Sequence, residues 1–328
     1  GMHSSQNEQD TRWLADFAHT ICLEPADQQQ AYAMTREAFD LSERFHVPVV
    51  LRLVTRLAHS RAPVTLSSSR EENKVRSDPD KNQWILLPSY SRKLWRGLLD
   101  QQPEIRAFTE SSPFNTLELN DGNGELGVIT TGVARNYYLE AVADLDSRPS
   151  HLHVGAYPIP TEKVRTLANH VKLLLVVEEG YPYVERLLRG LLPSPLEIRG
   201  KESGELPLDG ELNPDLVRRA LDQPVSDGVQ IPLLDLPNRP PRLCQACPHG
   251  DAYSALNDAL ADHGERLITS DIGCYTLGVL PPHNAGESCV CMGASIGMAR
   301  GASEAGRRPA IAVIGDSTFL HSGVTPLI

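Results

Sequence analysis

Hydrophobic residues recur at helical spacing in the early part of the chain. Between residues 26 and 45, the apolar positions follow the period that places them on one face of a helix, and they are Ala31, Met34, Ala38, Leu41 and Phe45. Residues 47–54 follow as an apolar run rich in β-branched residues, which is typical of a buried strand. This stretch therefore predicts one helix followed by one strand.

Residues 125–190 alternate between short apolar runs and helical patterns. Strands are predicted at 126–132, 151–156 and 171–177, with helices predicted over 133–143 and from Thr161 onward. Strands that alternate with helices form parallel sheets whose faces the helices cover. The predicted fold class is α/β, with parallel sheets flanked by helices.

The last third of the chain returns to the same alternation. A helix is predicted near residues 252–260, a second helix rich in small residues at 294–305, and a buried strand at 309–314. Polar and Pro-rich stretches at 67–115 and 193–241 separate the three patterned parts. They predict a linker with one helix near residues 90–99, and a long connecting segment.

Composition and charge narrow the classes of function. The 328 residues carry a formal net charge of −11 and are 41% hydrophobic, enough for the cores of two or three domains. An acidic balance argues against nucleic-acid binding, which favours a basic face. No apolar run is long enough to span a membrane, and no signal peptide is visible.

Five of the six cysteines lie in the last third of the chain. Such clustering in a chain of this size indicates a reducing compartment, where thiols serve as ligands or as small buried residues. We therefore expect a cytoplasmic protein.

The sharpest local signal is a Gly-Asp-Ser turn that follows the last predicted strand. Gly315, Asp316 and Ser317 stand at the carboxyl end of that strand, where ligands bind in parallel α/β sheets. Glycine lets the backbone approach a phosphate closely, and a carboxylate at this position can hold Mg²⁺. The same tripeptide also occurs as a simple turn, so taken alone it is a weak motif.

Three cysteines suggest several chemistries that the sequence leaves open. Cys244 and Cys247 form a C-x-x-C pair with His249 nearby, and Cys274 follows a glycine in a second turn. They could ligate an iron–sulfur cluster, bind zinc together with His249, form a redox pair, or line a pocket as buried thiols.

Four segments, taken in order, carry a family resemblance. They are Cys-Gln-Ala-Cys-Pro-His at 244–249, Ser-Asp-Ile-Gly-Cys-Tyr-Thr-Leu-Gly at 270–278, Cys-Met-Gly-Ala-Ser-Ile-Gly-Met-Ala at 291–299 and Val-Ile-Gly-Asp-Ser-Thr-Phe-Leu-His-Ser-Gly at 313–323. The set resembles the diphosphate-binding domain of the indolepyruvate ferredoxin oxidoreductase family, thiamine-diphosphate-dependent enzymes that act on 2-oxoacids. Each segment alone is a weak indicator of the family, but the four segments in this order are highly specific for it.

The resemblance extends over most of the chain and implies a domain plan. Residues 1–66 would be the C-terminal part of a pyrimidine-binding domain, 67–115 a linker, 116–192 a transketolase-C-like domain, 193–241 a connecting segment and 242–328 a truncated diphosphate-binding domain. The glutamate that activates the cofactor in this family would lie upstream of residue 1, so no catalytic residue is assigned. We expect the chain to be a fragment that is inactive alone.

The resemblance also implies roles for particular residues. Nine residues would bind the cofactor, and they are Ile272, Gly273, Cys274, Met292, Gly293, Ala294, Gly315, Asp316 and Ser317. Asp316 would ligate Mg²⁺, and Cys244, Cys247 and Cys274 would help to hold a [4Fe-4S] cluster.

The implied reaction is oxidative decarboxylation of indolepyruvate or another aryl 2-oxoacid to an acyl-CoA. The implied partners are coenzyme A, ferredoxin and a small β subunit. Two alternatives stay open: a non-oxidative thiamine-dependent decarboxylase or carboligase, and a zinc-binding structural module.

Charged residues outside these segments have simpler interpretations. Three arginines could bind the carboxylate of a 2-oxoacid, namely Arg12, Arg56 and Arg61, but a surface ion pair is the expected role for each. Glu178 and Glu179 end a predicted strand, where a packing and capping role is expected.

Overall fold

A computed structural model of the chain describes residues 9–70, 87–122, 124–192, 196–225 and 241–328. The chain divides into two compact units, with the boundary between residues 229 and 230. We refer to them as the first unit and the second unit. No helix in the described ranges is both long and apolar enough to cross a bilayer.

The described part of the first unit contains eight helices and eight strands. The helices are α1 Thr11–Phe17, α2 Gln28–Phe45, α3 Thr55–His59, α4 Pro88–Ser111, α5 Ala134–Ala141, α6 Thr161–His170, α7 Tyr183–Leu191 and α8 Pro214–Ala220. The strands are β1 Ile21–Leu23, β2 Val49–Leu51, β3 Asn115–Glu118, β4 Leu126–Thr131, β5 Ser150–Val154, β6 Ala156–Tyr157, β7 Leu173–Val177 and β8 Glu197–Arg199.

A five-stranded sheet with the order β3-β5-β4-β7-β8 forms the centre of the first unit. All neighbouring strands are parallel except β3, which runs antiparallel to β5. Successive side chains of a strand point to opposite faces, so β7 supplies Leu175 and Val177 to one core and Leu174 and Val176 to the other. Burial on both faces explains why β7 is a continuous apolar run.

A second sheet of the first unit has the order β2-β1-β6. β6 follows β5 in the chain and pairs antiparallel with β1, so residues 156–157 join a sheet with residues 21–23. A side chain at Gly155, between β5 and β6, would meet the carbonyl oxygen of Phe114 at 2.9 Å. The predicted boundaries at residues 66 and 116 therefore separate segments that share this sheet, and the domain plan stays a prediction.

The stretch predicted as a linker contains a long helix. α4 covers 24 residues, whereas the pattern predicted a helix near residues 90–99 only. Its buried residues are Gln102, Ile105 and Thr109, a narrow stripe in which just one member is apolar, so periodicity underestimates its length. Residues 71–86 of the predicted linker lie outside the described residues.

The second unit is a smaller α/β layer. Its elements are α9 Pro248–Ala259, β9 Leu267–Ser270, β10 Ser288–Cys289, α10 Ala294–Glu304, β11 Ala310–Val313, α11 Asp316–Thr318 and α12 Val324–Leu327, with a 3₁₀ segment at Cys274–Val279 and a π turn at Phe319–Gly323. The three strands are parallel in the order β10-β9-β11. Their carboxyl ends therefore share one edge of the sheet.

The elements predicted from hydrophobic periodicity are confirmed within a few residues. The helix predicted at 26–45 is α2, the strand at 171–177 is β7, the helix at 294–305 is α10 and the strand at 309–314 is β11. α9 begins at Pro248 rather than near residue 252, because proline fits the first turn of a helix, where its missing amide hydrogen is not needed.

Two histidines of β5 are buried on the same face of the sheet. The hydroxyl of Thr130 lies 2.8 Å from Nε2 of His151 and 3.2 Å from Nδ1 of His153. Nε2 of His153 is buried without a hydrogen-bond partner among the described residues. Burial, with a smaller contribution from the charge of Arg135, lowers the pKa of each imidazole to about 3.

The stability of the first unit should therefore fall as the pH is lowered from 7 to 5. An unfolded histidine takes up a proton near pH 6.5, while these two stay neutral until about pH 3, so acid favours the unfolded state throughout this window. We expect the free energy of unfolding to fall by about 2 kcal/mol for each imidazole between pH 7 and pH 5.

Urea denaturation followed by tryptophan fluorescence measures this effect, because Trp13, Trp84 and Trp95, the three tryptophans of the chain, all belong to the first unit. The control is a double variant, His151→Gln with His153→Gln, which carries no imidazole at either position. An equal pH dependence in the parent and the double variant would contradict the prediction.

Candidate functional site

The carboxylate of Asp271 ties two of the predicted cofactor-binding segments together. Asp271 follows β9 and is fully buried. Its oxygens accept hydrogen bonds from the amide of Gly293 at 2.8 and 2.9 Å, from the amide of Ser295 at 3.1 Å and from the hydroxyl of Ser295 at 2.8 Å. The turn of residues 272–274 is thereby held beside the amino end of α10.

These hydrogen bonds keep Asp271 ionised. Burial alone would raise the pKa of its carboxyl, but the amides of Ile272 and Gly293, with the hydroxyl and amide of Ser295, lower the pKa below its ordinary value. Asp271 was not among the residues predicted from the sequence. An aspartate directly after a buried strand was the available signal, but its partners are more than twenty positions away.

Tyr275 fills the space between two of the predicted glycines. A Cβ at Gly273 would lie 2.3 Å from the tyrosine ring, and a Cβ at Gly315 would lie 2.7 Å from it. The hydroxyl of Tyr275 donates to the carbonyl of Ile272 at 2.9 Å, and Tyr253 of α9 donates to the carbonyl of Tyr275 at 2.6 Å. Packing against this ring therefore explains glycine at both positions, whereas at Gly315 the sequence suggested close approach of a phosphate.

The turn before α10 and the residues that follow β11 reach the same edge of the sheet as residues 272–274. Gly293 has a positive φ of 87°, and a Cβ there would lie 2.6 Å from the carbonyl oxygen of Ser322 in the π turn. The hydroxyl of Thr318 donates to the carbonyl of Ile272 at 3.3 Å. The segments 272–274, 292–294 and 315–317 therefore meet at the carboxyl edge of the β10-β9-β11 sheet.

The nine predicted cofactor-binding residues differ in exposure. Gly293 is buried; Ile272, Ala294 and Gly315 are half-buried; and Gly273, Cys274, Met292, Asp316 and Ser317 are exposed. Within the described part of the chain, the carboxylate of Asp316 accepts one hydrogen bond, from the amide of Ser317 at 2.8 Å.

The donor set at this edge fits magnesium held together with a diphosphate. Mg²⁺ prefers oxygen ligands and is commonly bound by one or two carboxylates plus phosphate oxygens and water. Asp316 supplies an accessible carboxylate at the end of β11, and Ser317 an accessible hydroxyl beside it.

The three cysteines that were predicted as metal ligands differ in exposure. Cys244 is exposed, Cys247 is half-buried with its Sγ 3.4 Å from Nδ1 of His249, and Cys274 is exposed at the start of the 3₁₀ segment. Across the described ranges, no group of three or more His, Cys, Asp or Glu side chains is placed to hold a metal ion. The roles of these cysteines as ligands of an iron–sulfur cluster or of zinc stay predictions.

The first unit contains a buried network of charges that sequence analysis did not anticipate. Arg12 is 1% exposed and pairs with Asp10 at 2.5 Å and with Glu178 at 2.9 Å. Arg52 contacts Glu24 and lies 3.3 Å from Asp10. The prediction of a surface ion pair for Arg12 is therefore wrong, because three carboxylates enclose its guanidinium.

The capping role predicted for Glu178 is confirmed. Its carboxylate accepts hydrogen bonds at 3.0 Å from the amides of Val184 and Glu185, in the first turn of α7. Arg56 pairs with Glu211 at 2.5 Å; the side chain of Arg56 is 39% exposed and that of Glu211 9%, so this ion pair is exposed on the arginine side only.

Comparisons with known proteins agree with these observations. Residues 271–328 match the family model "Thiamine pyrophosphate enzyme, C-terminal TPP binding domain". The chain is 38% identical to the indolepyruvate oxidoreductase subunit IorA of Methanothermobacter thermautotrophicus, covering 100% of this chain and 55% of that protein. It is 34% identical to the subunit of the same name from Archaeoglobus fulgidus, covering 100% of this chain and 54% of that protein.

The chain thus spans about half the length of the curated relatives it matches. Among solved structures, a 2-oxoglutarate:ferredoxin oxidoreductase from Magnetococcus marinus matches with a TM-score of 0.47 and 14% identity. The match covers 66% of this chain and 45% of that one.

Proposed function

We propose that this chain, which belongs to the family of the indolepyruvate oxidoreductase IorA subunits, contributes the diphosphate-binding part of a thiamine-dependent 2-oxoacid oxidoreductase. The reaction would be oxidative decarboxylation of indolepyruvate or another aryl 2-oxoacid, with ferredoxin as electron acceptor and coenzyme A as acyl acceptor. One observation supports this most strongly: the three predicted cofactor-binding segments meet at the carboxyl edge of one parallel sheet.

Asp316 and Ser317 would hold a magnesium–diphosphate group at the end of β11. The backbone of residues 272–274 and 292–294 would line the site beside it, held in register by the carboxylate of Asp271. When bound, thiamine diphosphate supplies the nucleophilic carbon and accepts the electron pair that decarboxylation leaves behind. The part of this chain is to anchor and orient that group.

The partners proposed are a small β subunit and ferredoxin. The word "subunit" in the names of the relatives supports the first, while ferredoxin, coenzyme A and a cytoplasmic location rest on the family resemblance and on the cysteine content. The [4Fe-4S] cluster stays a prediction.

Replacing Asp316 by asparagine should weaken the magnesium-dependent binding of thiamine diphosphate by at least about 100-fold. Loss of groups that only support a metal ligand already weakens metal binding by about 10–100-fold, and asparagine removes the negative charge itself. Isothermal titration of the chain with thiamine diphosphate, with and without Mg²⁺, measures the change.

The matched control is Asp262→Asn, which removes an exposed aspartate elsewhere in the second unit and should leave the affinity unchanged. Equal affinity in the Asp316 variant and the parent chain would refute the proposed role of Asp316.

A further inference from the structure

The side chain of Tyr275 separates two turns of the candidate cofactor site. The residue is 7% exposed, and its ring lies between Gly273, in the turn after β9, and Gly315, at the end of β11. At each glycine, the three atoms nearest to a Cβ placed there all belong to this ring. The thickness of one aromatic ring therefore sets how closely the two turns approach each other.

Tyr275 is itself held at both ends. Its carbonyl accepts a hydrogen bond from the hydroxyl of Tyr253 at 2.6 Å, and its own hydroxyl donates to the carbonyl of Ile272 at 2.9 Å. Thr318, which follows β11, donates to the same carbonyl at 3.3 Å. Because these contacts fix both its backbone and its hydroxyl, the ring acts as a rigid spacer.

The backbone does not require glycine at position 315. Its φ of −79° and ψ of 157° lie in the extended region that every residue adopts. The obstacle to a side chain there is the ring of Tyr275, 2.7 Å from the Cβ position. The contact between Gly315 and the ring therefore places the next residue of the chain, Asp316.

We propose that Tyr275 is a positioning residue for the cofactor, because its ring fixes the place of Asp316 relative to the turn of residues 272–274. The inference rests on the proposed function, in which Asp316 holds magnesium and diphosphate while that turn lines the same site. Tyr275 acts through positions 273 and 315 and is assigned no contact with the cofactor. Binding groups must be held within about 0.5 Å of their productive geometry by the packing around them, and loss of such support weakens metal binding by about 10–100-fold.

Two substitutions, made singly and together, test the spacer. Tyr275→Leu removes the ring, and Gly315→Ala places a methyl group against it. Each alone should weaken the Mg²⁺-dependent binding of thiamine diphosphate to the full chain by about 10-fold or more, as isothermal titration measures. The added methyl group fits the space that leucine leaves open, so the double variant should bind no more weakly than either single variant.

Two control variants make the result specific. Tyr275→Phe keeps the ring and loses the hydroxyl, so it should bind within about 5-fold of the parent chain. Combined with Gly315→Ala it should give no rescue, because the clash with the ring remains. Gly301→Ala adds a methyl group in α10 that meets no other part of the described chain within 4 Å, and it should leave the affinity unchanged.

Hydrogen exchange without the cofactor measures the position of the turn independently. The amide of Phe319 donates to the carbonyl of Gly315 at 2.8 Å, so its exchange rate reports whether the turn is in place. We expect Gly315→Ala to raise this rate by about 10-fold or more, and the added Tyr275→Leu substitution to restore it.

Several results would overturn the spacer. One is a double variant whose loss of affinity is the product of the two single losses, about 100-fold or more, since independent defects combine in this way. A second is an equal loss in Tyr275→Phe and Tyr275→Leu, which would assign the effect to the hydroxyl. A third is an exchange rate at Phe319 that neither single substitution changes.

Failure of the spacer and failure of the proposed function give different results. If Tyr275→Leu binds as the parent chain does while Asp316→Asn loses affinity, the spacer is refuted and the proposed function stands. If the parent chain binds no thiamine diphosphate, the proposed function is refuted, and the role of Tyr275 in cofactor binding falls with it. Exchange at Phe319 then decides whether the ring places the turn.

Discussion

Replacing Arg12 by alanine is expected to destabilise the first unit by about 3–5 kcal/mol, because it leaves buried carboxylates without their counter-charge. Arg12 is 1% exposed, and its guanidinium contacts Asp10 and Glu178 directly while Glu24 lies 3.8 Å away. Removing the cation leaves these buried carboxylates negatively charged where water cannot solvate them.

Arg12 also connects parts of the chain that are distant in sequence. Its Nη2 donates to the carbonyls of Glu179 and Tyr181, at 2.9 and 3.0 Å. Burial alone would raise the pKa of Asp10, but the hydrogen bond and charge of Arg12, with the charge of Arg52, lower that pKa below its ordinary value. The arginine thus holds the start of α1 against the segment that follows β7.

Urea denaturation followed by tryptophan fluorescence gives the free energy of unfolding of this unit. Arg165→Ala is the matched control, because Arg165 pairs with Glu162 on the surface, with both side chains at least half exposed. Exposed ion pairs contribute roughly 0–1 kcal/mol to the free energy of unfolding. If both alanine variants unfold at the same urea concentration, the buried network does not support the fold.

Replacing Asp271 by alanine is expected to expose the amides of Gly293 and Ser295 to hydrogen exchange, with rates raised by about 100-fold or more. A hydrogen bond to a charged group contributes about 1.5–3 kcal/mol, and Asp271 accepts several across the start of α10. Alanine leaves these donors without an acceptor and releases the helix from the turn after β9.

Hydrogen–deuterium exchange of peptides that cover residues 288–300 measures this effect near neutral pH. The lowered pKa of Asp271 means that its contribution is complete above about pH 4 and is lost only as the pH falls below that value. Asp262→Ala, at an exposed position, serves as the control. Unchanged exchange at Gly293 and Ser295 in the Asp271 variant would show that the carboxylate does not join the two segments.

An arrangement with Asp316 far from Cys274 and Met292 would have overturned the functional interpretation. The structure instead links their segments through Asp271, Tyr275 and Thr318, three residues that sequence analysis did not select. The role of the assembled edge in binding the cofactor stays a proposal, which the Asp316 variant tests.

Periodicity along the chain by itself determined the α/β class and most of the elements. α2 and β7 could be predicted because side-chain direction repeats locally, every 3.6 residues in a helix and every two in a strand. The order of motifs at 244–249, 270–278, 291–299 and 313–323 also lies entirely in the sequence, and it sufficed to indicate the family.

Only the tertiary structure decided which charges meet and which glycines are required. Asp10 and Glu178 meet at Arg12 across more than 160 residues, and Gly273 and Gly315 share one tyrosine ring. Contacts of this kind depend on how strands are ordered in a sheet and where each strand ends, and no local pattern records them. For the same reason, the cysteine motif alone does not decide whether its thiols bind a metal, because the groups that would complete such a site are set by the tertiary structure.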